Sequence, residues 1–423
     1  MKNILILCRV VDNYGDIGFV YRLIRSLPQF LENCSYTVAV SNLSSFAKMN
    51  PLVDEKKSVQ ILESETAEGK SSLQIKILDW NDDKTCFEET EKNIPDVVLE
   101  CFQCGRPDWL EKILFNDEFT REVLIVNVEY LTAEEWADDF HLLKSATRKK
   151  NIRKINFMPG FTKKTAGFIL DDHFMKLLAE KVGGLKNKNG GLNESVAGGL
   201  KNKSCFKVLL FSYQKNFDAE MEAFNSFVES KRGYEKDFSL CIYSPVGMSF
   251  KSAQKSFIKK ERNFELKELP YLSQKEWDSF VLSCDFLMVR GEDSFSRACL
   301  SGIPFLWNVY VQDGEFQLVK AHAFLKRMEP FFEEEDFELY KKLTLVYNRT
   351  SFASDTPLAP EALSVLEDSE ILNLSEGEIE NLLYKFLLRH DSIKDSFEKF
   401  SSSIIQIGNL AEHLAFFLQK SGI

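Results

Sequence analysis

The feature that most constrains the fold is a pattern that starts twice. Residues 4–8 form a short apolar run, Ile-Leu-Ile-Leu-Cys, followed by a loop of Asp, Asn and Gly and a helix-like stretch at 18–27. An equivalent order begins again at 207–211, with a helical pattern at 218–230 and a further apolar run at 238–243. Short apolar runs bounded by charge predict buried parallel strands. Strands alternating with helices predict an α/β fold. Further strands are expected at 36–40, 74–78, 96–99, 123–128, 286–289 and 304–309, and a helix at 295–301. Thr132-Ala-Glu-Glu135 and Ser273-Gln-Lys-Glu276 have capping-box spacing, which predicts helix starts there, the second helix covering 274–283.

Between the two starts lies GGLKNKNGGLNESVAGGLKNK, residues 183–203, in which the unit GGLKNK occurs twice. Gly, Asn and Lys leave little to bury, so this reads as a linker or insertion. The expected division is 1–182, an N-terminal α/β domain; 183–203, the linker; 204–374, a second α/β domain; and 375–423, a helical tail packing back across the domains. A length of 423 residues accommodates two domains.

The net charge of −11 argues against general nucleic-acid or anionic-membrane binding. Any anion bound must meet a local cluster of donors. No uncharged run approaches the ~18 apolar residues of a membrane span. The run at 4–8 is too short for a signal sequence. Nine Cys, an odd number, suit reduced thiols in a cytoplasm. Cys101 and Cys104 lack a second pair or a nearby His, and the five His do not cluster, so no metal is expected. The pairs Asp82-Asp83, Asp138-Asp139 and Asp171-Asp172 read as solvated surface.

Three groups of residues can carry chemistry. Asp12 and Asp16 sit in the loop after the first strand, at the edge where open α/β sheets place ligands. They read equally well as a base or cation-holding pair and as a helix cap. Gly15-Asp-Ile-Gly18 supplies only part of a dinucleotide fingerprint. Arg290-Gly-Glu-Asp-Ser294 ends a strand and opens a helix, whose N-terminal N–H groups, with Ser294, Arg290 and Arg297, suit an anion. Glu292 there fits sugar hydroxyls; a capped helix with a surface ion pair is the plainer alternative. Phe211, Tyr213, Trp277 and Tyr310 near loop ends suit a planar base, or core packing.

Together these strings resemble the elongation factor P arginine rhamnosyltransferases. The resemblance is carried by RVVDNYGDIG (9–18), VNVEYLTAEEW (126–136) with His141, FMPGFT (157–162), RGEDSF (290–295) and GIPFLWNVYVQ (302–312). Val311 stands where relatives have Pro, Ala166-Gly-Phe168 where they have Gly-Gly-Leu, and 183–203 is foreign to them. The resemblance implies a GT-B-type glycosyltransferase, two Rossmann-like domains facing a cleft with a helical C-terminal tail. It implies dTDP-β-L-rhamnose as donor, an arginine of elongation factor P as acceptor, inversion, and no metal or other cofactor. It implies Asp16 as general base, with Asp12 and Glu292 as further catalytic carboxylates. Substrate contacts fall on Asn13, Tyr14, Gly15, Phe211, Tyr213, Leu272, Ser273, Gln274, Trp277, Arg290, Gly291, Asp293, Ser294 and Tyr310. The alternatives are a GT-B enzyme with another nucleotide sugar or a lipid or glycan acceptor, and a non-catalytic nucleotide-sugar-binding module.

Overall fold

Each half of the chain grows around a parallel sheet. The computed structural model describes residues 1–12, 14–65, 72–186, 205–349, 357–368 and 376–422. They fall into two units, Met1–Met175 with Ile404–Ile423, and Lys176–Ser403. Most of the expected linker, and Asn13, lie outside the described residues.

The first unit contains β1 (Lys2–Cys8), β2 (Cys34–Val40), β3 (Val59–Glu65), β4 (Ser72–Asp79), β5 (Val97–Cys101), β6 (Val123–Val128), β7 (Lys144–Ser145) and β8 (Ile152–Phe157). Their order is β3-β4-β2-β1-β5-β6-β8-β7, with only β3 and β7 antiparallel to their neighbours. The apolar run predicted at 4–8 is central: Ile6 lies opposite Val38 on one side and Leu99 on the other. Burial on both faces explains the apolar runs Ile4–Cys8, Val97–Leu99 and Val123–Val126; the buried Glu100 and Asn127 near the ends of β5 and β6 are held by side-chain partners. The chain winds outward from β1 through β2 to β4, then crosses to β5. The order therefore reverses beside β1, the position at which open α/β sheets place ligands.

The second unit repeats the plan with β9 (Cys205–Leu210), β10 (Ser239–Pro245), β11 (Glu265–Leu269), β12 (Phe286–Arg290) and β13 (Phe305–Asn308). Their order is β11-β10-β9-β12-β13, all parallel. Here the reversal lies between β9 and β12. Strands β3 and β11 escape an apolar-run reading because they are edges, and edge strands carry charge, as in Glu-Leu-Lys-Glu-Leu of β11.

Several sequence expectations change. The capping box at Ser273 forms and opens helix Gln274–Leu282. The one at Thr132 does not: its hydroxyl bonds Glu134, and only a short helix, Trp136–Phe140, follows. The helix expected from 295 begins at Glu292, so Ser294 lies inside its first turn. Asp171 is buried rather than solvated. It accepts the N–H groups of His173 and Phe174 at the start of helix Asp172–Lys186 and lies 3.9 Å from the equally buried Arg22.

The phenylalanines have a structural use in the second unit. Phe295 stacks on Trp307 at 3.8 Å, and Phe305 meets Phe324 and Phe397. Phe332 and Phe397 pack on Tyr340, and Phe324 on Phe400. Offset and edge-to-face rings thus tie helix Glu292–Ser301 and β13 to the helices after 317. In the first unit, Leu410, Ala411, Leu414, Ala415 and Leu418 of the last helix join the core that holds Ile4, Ile6 and Ile17.

Candidate active site

The carboxylate centre of the first unit is built where the strand order reverses. Helix Tyr14–Ser26 follows β1, and Asp16 lies in its first turn, where a negative charge meets the helix N-terminus favourably. Its Oδ2 accepts the backbone N–H groups of Val11 at 2.7 Å and Asp12 at 2.9 Å. Gly15 N–H closes the turn on the Asp12 carbonyl at 2.9 Å. Asp16 thus anchors the loop that leads into its helix. It is completely buried, and burial raises its pKa; the two backbone hydrogen bonds and the Tyr130 hydroxyl work against that, while Asp12 adds to it. Asp12, Tyr14 and Gly15 are partly exposed beside it.

The same sheet edge brings in residues that the sequence reading passed over. Tyr130, just beyond β6, points its hydroxyl at Asp16 Oδ1 from 3.4 Å. Its ring stacks on Phe102, beyond β5, at 4.3 Å and 15°. Glu129 is buried and accepts the side-chain amides of Gln103 and Asn127. Burial raises its pKa against those bonds. The signal was available: Glu129 is a charge directly after an apolar strand, as Arg290 is.

In the second unit, the loops after β9 and β12 meet. Phe211 N–H donates to the Met288 carbonyl at 2.8 Å. The Arg290 guanidinium lies over the rings of both Phe211, at 4.8 Å, and Tyr213, at 4.5 Å. Trp277 stands edge-on to Phe211 and Tyr310 edge-on to Tyr213, at 5.4 and 5.6 Å. The four aromatics singled out in the sequence are therefore one cluster around an arginine. Tyr310 is 53% exposed, which a core role does not explain. Beneath them, Asn308 Oδ1 accepts the Ser212 hydroxyl at 2.7 Å and the Tyr213 N–H at 3.0 Å, fixing the loop from below.

Gly291 caps helix Glu292–Ser301 with φ 69° and ψ 164°, a conformation essentially confined to glycine. It lets the chain turn directly from β12 into the helix, so the first-turn N–H groups follow Arg290. Glu292 and Asp293 are partly exposed in that turn, and Ser294 is buried. Arg297 is buried and donates to the Ser296 hydroxyl. At the start of helix Gln274–Leu282, Leu272 is partly exposed, Ser273 exposed and Gln274 buried. Among the described residues, no group of three or more His, Cys, Asp and Glu side chains could hold a metal ion. Nor is any described helix long and apolar enough to cross a membrane.

A family profile described as elongation factor P (EF-P) rhamnosyltransferase EarP matches residues 4–419. The chain belongs to the EarP family. It is 30% identical over 344 residues to a protein-arginine rhamnosyltransferase of Shewanella oneidensis, spanning 76% of this chain and 79% of that one. A protein of the same name from Neisseria meningitidis serogroup B is 26% identical over 349 residues, spanning 80% and 82%. A solved structure described as the structural basis for EarP-mediated arginine glycosylation of translation elongation factor EF-P superposes with a TM-score of 0.55 at 17% identity, over all of both chains. A UDP-GlcNAc 2-epimerase from Neisseria meningitidis bound to UDP-GlcNAc gives 0.50 at 10% identity, over 99% and 100%. These structural likenesses establish the α/β GT-B type of fold, and EarP family membership makes the chain a glycosyltransferase.

Proposed function

We propose that this EarP family member transfers L-rhamnose from dTDP-β-L-rhamnose to an arginine guanidinium of translation elongation factor P, with inversion and without a metal, in the cytoplasm. Family membership and the names of its relatives support the sugar and the acceptor. The observation that carries the chemistry is Asp16, a buried carboxylate with one oxygen pinned by two backbone N–H groups.

An arginine side chain has a pKa above ~12 and a delocalised lone pair, so it is a poor nucleophile. Carboxylates at Asp12 and Asp16 can bind it through charge-assisted hydrogen bonds and turn one nitrogen toward the sugar. That nitrogen attacks the anomeric carbon as the bond from that carbon to the dTDP oxygen breaks. The attack comes from the face opposite the leaving group, so the configuration inverts. The proton released from nitrogen goes to Asp16, whose raised pKa suits a proton acceptor. The departing diphosphate gains charge, which the N–H groups at the start of helix Glu292–Ser301 and Arg290 stabilise. Glu292 holds sugar hydroxyls, and the rings of Phe211, Tyr213, Trp277 and Tyr310 hold the thymine.

The protein is incubated with dTDP-rhamnose and elongation factor P of its own organism, with and without a chelator, and the acceptor is weighed. The expected result is a gain of one rhamnosyl group in both cases, with the opposite anomeric configuration by NMR. An unchanged mass with folded protein overturns the reading.

A further inference from the structure

Asp16 presents two oxygens with different environments. Oδ2 is committed to the loop by the Val11 and Asp12 N–H groups. Oδ1 faces the Tyr130 hydroxyl at 3.4 Å. A carboxylate held at one oxygen can still rock about that anchor, so the direction of Oδ1 depends on what else it meets. A long bond of this kind is common in an unliganded site and tightens when substrate binds.

Tyr130 is itself held by an unusual piece of backbone. Phe102 and Gln103 both have left-handed φ, 63° and 50°. Such a conformation costs roughly 1–3 kcal/mol for each non-glycine residue, so surrounding contacts must enforce it. Those contacts converge on Tyr130. The Phe102 ring packs against both Tyr130 and Phe19 of helix Tyr14–Ser26. The Phe102 N–H donates to the Val128 carbonyl at 2.7 Å. The Gln103 amide reaches Glu129, which Asn127 also holds, and the Glu129 N–H donates to the Phe157 carbonyl at 3.1 Å. A loop that merely connected β5 to the helix beginning at Asp108 would relieve both residues with Gly or Asn.

We propose that Tyr130 is a positioning residue for Asp16, held in place by the Phe102 stack and the Gln103–Glu129–Asn127 clasp, and that it aims Oδ1 at the incoming guanidinium. This rests on reading Asp16 as the proton acceptor. The titratable groups facing Asp16 are Asp12 from its own loop, Tyr130 from the end of β6, and the Cys8 and Cys101 thiols from the ends of β1 and β5. Burial holds both thiols well above their ordinary values, so they stay neutral there. A hydroxyl donating to the charged carboxylate favours that form. Removing it must therefore raise the pH at which Asp16 takes up a proton.

The test is carbon-13 NMR of protein labelled at the aspartate carboxyls, with Asp16→Asn assigning the Asp16 signal. Tyr130→Phe keeps the ring stack and is expected to raise the Asp16 titration midpoint. Phe102→Leu, which keeps the hydroxyl but removes its support, is expected to raise it too. Unmoved midpoints in both variants overturn the proposal. In turnover with elongation factor P, Tyr130→Phe should lower kcat on the order of ten-fold, leave dTDP affinity unchanged and move the acid limb of kcat/KM to higher pH. An equal loss at every pH, with no movement of that limb, would make Tyr130 merely structural and also overturns it. Wild-type protein that modifies no elongation factor P sinks the proposed function alone, because the NMR titration still decides the part played by Tyr130.

Discussion

Asp16 places a charge where the fold would prefer none. Its pKa is raised by burial, so between the unfolded and folded values the native state holds a proton that the unfolded chain has released. Stability attributable to this group therefore falls as pH rises through that window. Asp16→Asn, which keeps an oxygen for the Val11 and Asp12 N–H groups, should melt higher than wild type at pH 7. That gap should shrink toward pH 4, while transfer falls about 10²–10⁴-fold and dTDP binding persists. Differential scanning calorimetry across pH checks the first part, and single-turnover assays with titration calorimetry check the second. His141 acts in the opposite sense. Burial, with the nearby His413, lowers its pKa to about 4, and its Nδ1 accepts the Met158 N–H. The unfolded chain binds a proton below about pH 6.5 that the folded ring refuses, so stability is lost as pH falls from there toward 4. The loss is up to about 3 kcal/mol, less where solvent screens the ring. Urea denaturation at pH 7 and pH 5 should show it, and His141→Gln should remove it.

Among the elements, the β12-to-helix turn is the most exacting. Gly291→Ala forces a side chain into φ 69°, ψ 164°, at a cost of roughly 1–3 kcal/mol. It should weaken dTDP binding more than it lowers the melting temperature, since the turn sets the helix N–H groups; calorimetry of both quantities is the check. Ser273→Ala removes half of an observed capping box, and a loss of about 1 kcal/mol in chemical denaturation is expected. Both turns were legible in the sequence because their signals are local: Arg-Gly-Glu after an apolar run, and Ser followed three residues later by Glu. The Thr132 box had equal local merit and failed. Thr132 bonds Glu134 instead, and it is bridged to Gly160 across the chain. Tyr130 and Asp171 were illegible for a related reason. Their partners, Asp16 and Arg22, are more than a hundred residues away in sequence, and only the strand order brings them together.

At the scale of the whole molecule, apolar runs and their alternation with helices sufficed for two α/β units, because each buried strand writes its own signal. The sequence reading has the tail at 375–423 packing back across the domains; in the structure its last stretch, Ile404–Ile423, belongs to the first unit. Leu414 of the last helix is completely buried in the core around β1. Leu414→Ala should therefore cost about 2–5 kcal/mol, detected as earlier unfolding of the first unit by hydrogen exchange at Ile4 to Leu7. The same return orders events during synthesis. The second unit is one continuous stretch, whereas the first lacks its closing helix until residues near 420 emerge. At elongation rates of roughly 5–20 residues per second, the finished β1 sheet waits on the order of ten to fifty seconds for that helix. Throughout that interval the core that holds Ile4, Ile6 and Leu27 lacks Leu410, Leu414 and Leu418, so the first half of the chain must wait for the last helix to complete the burial of its sheet.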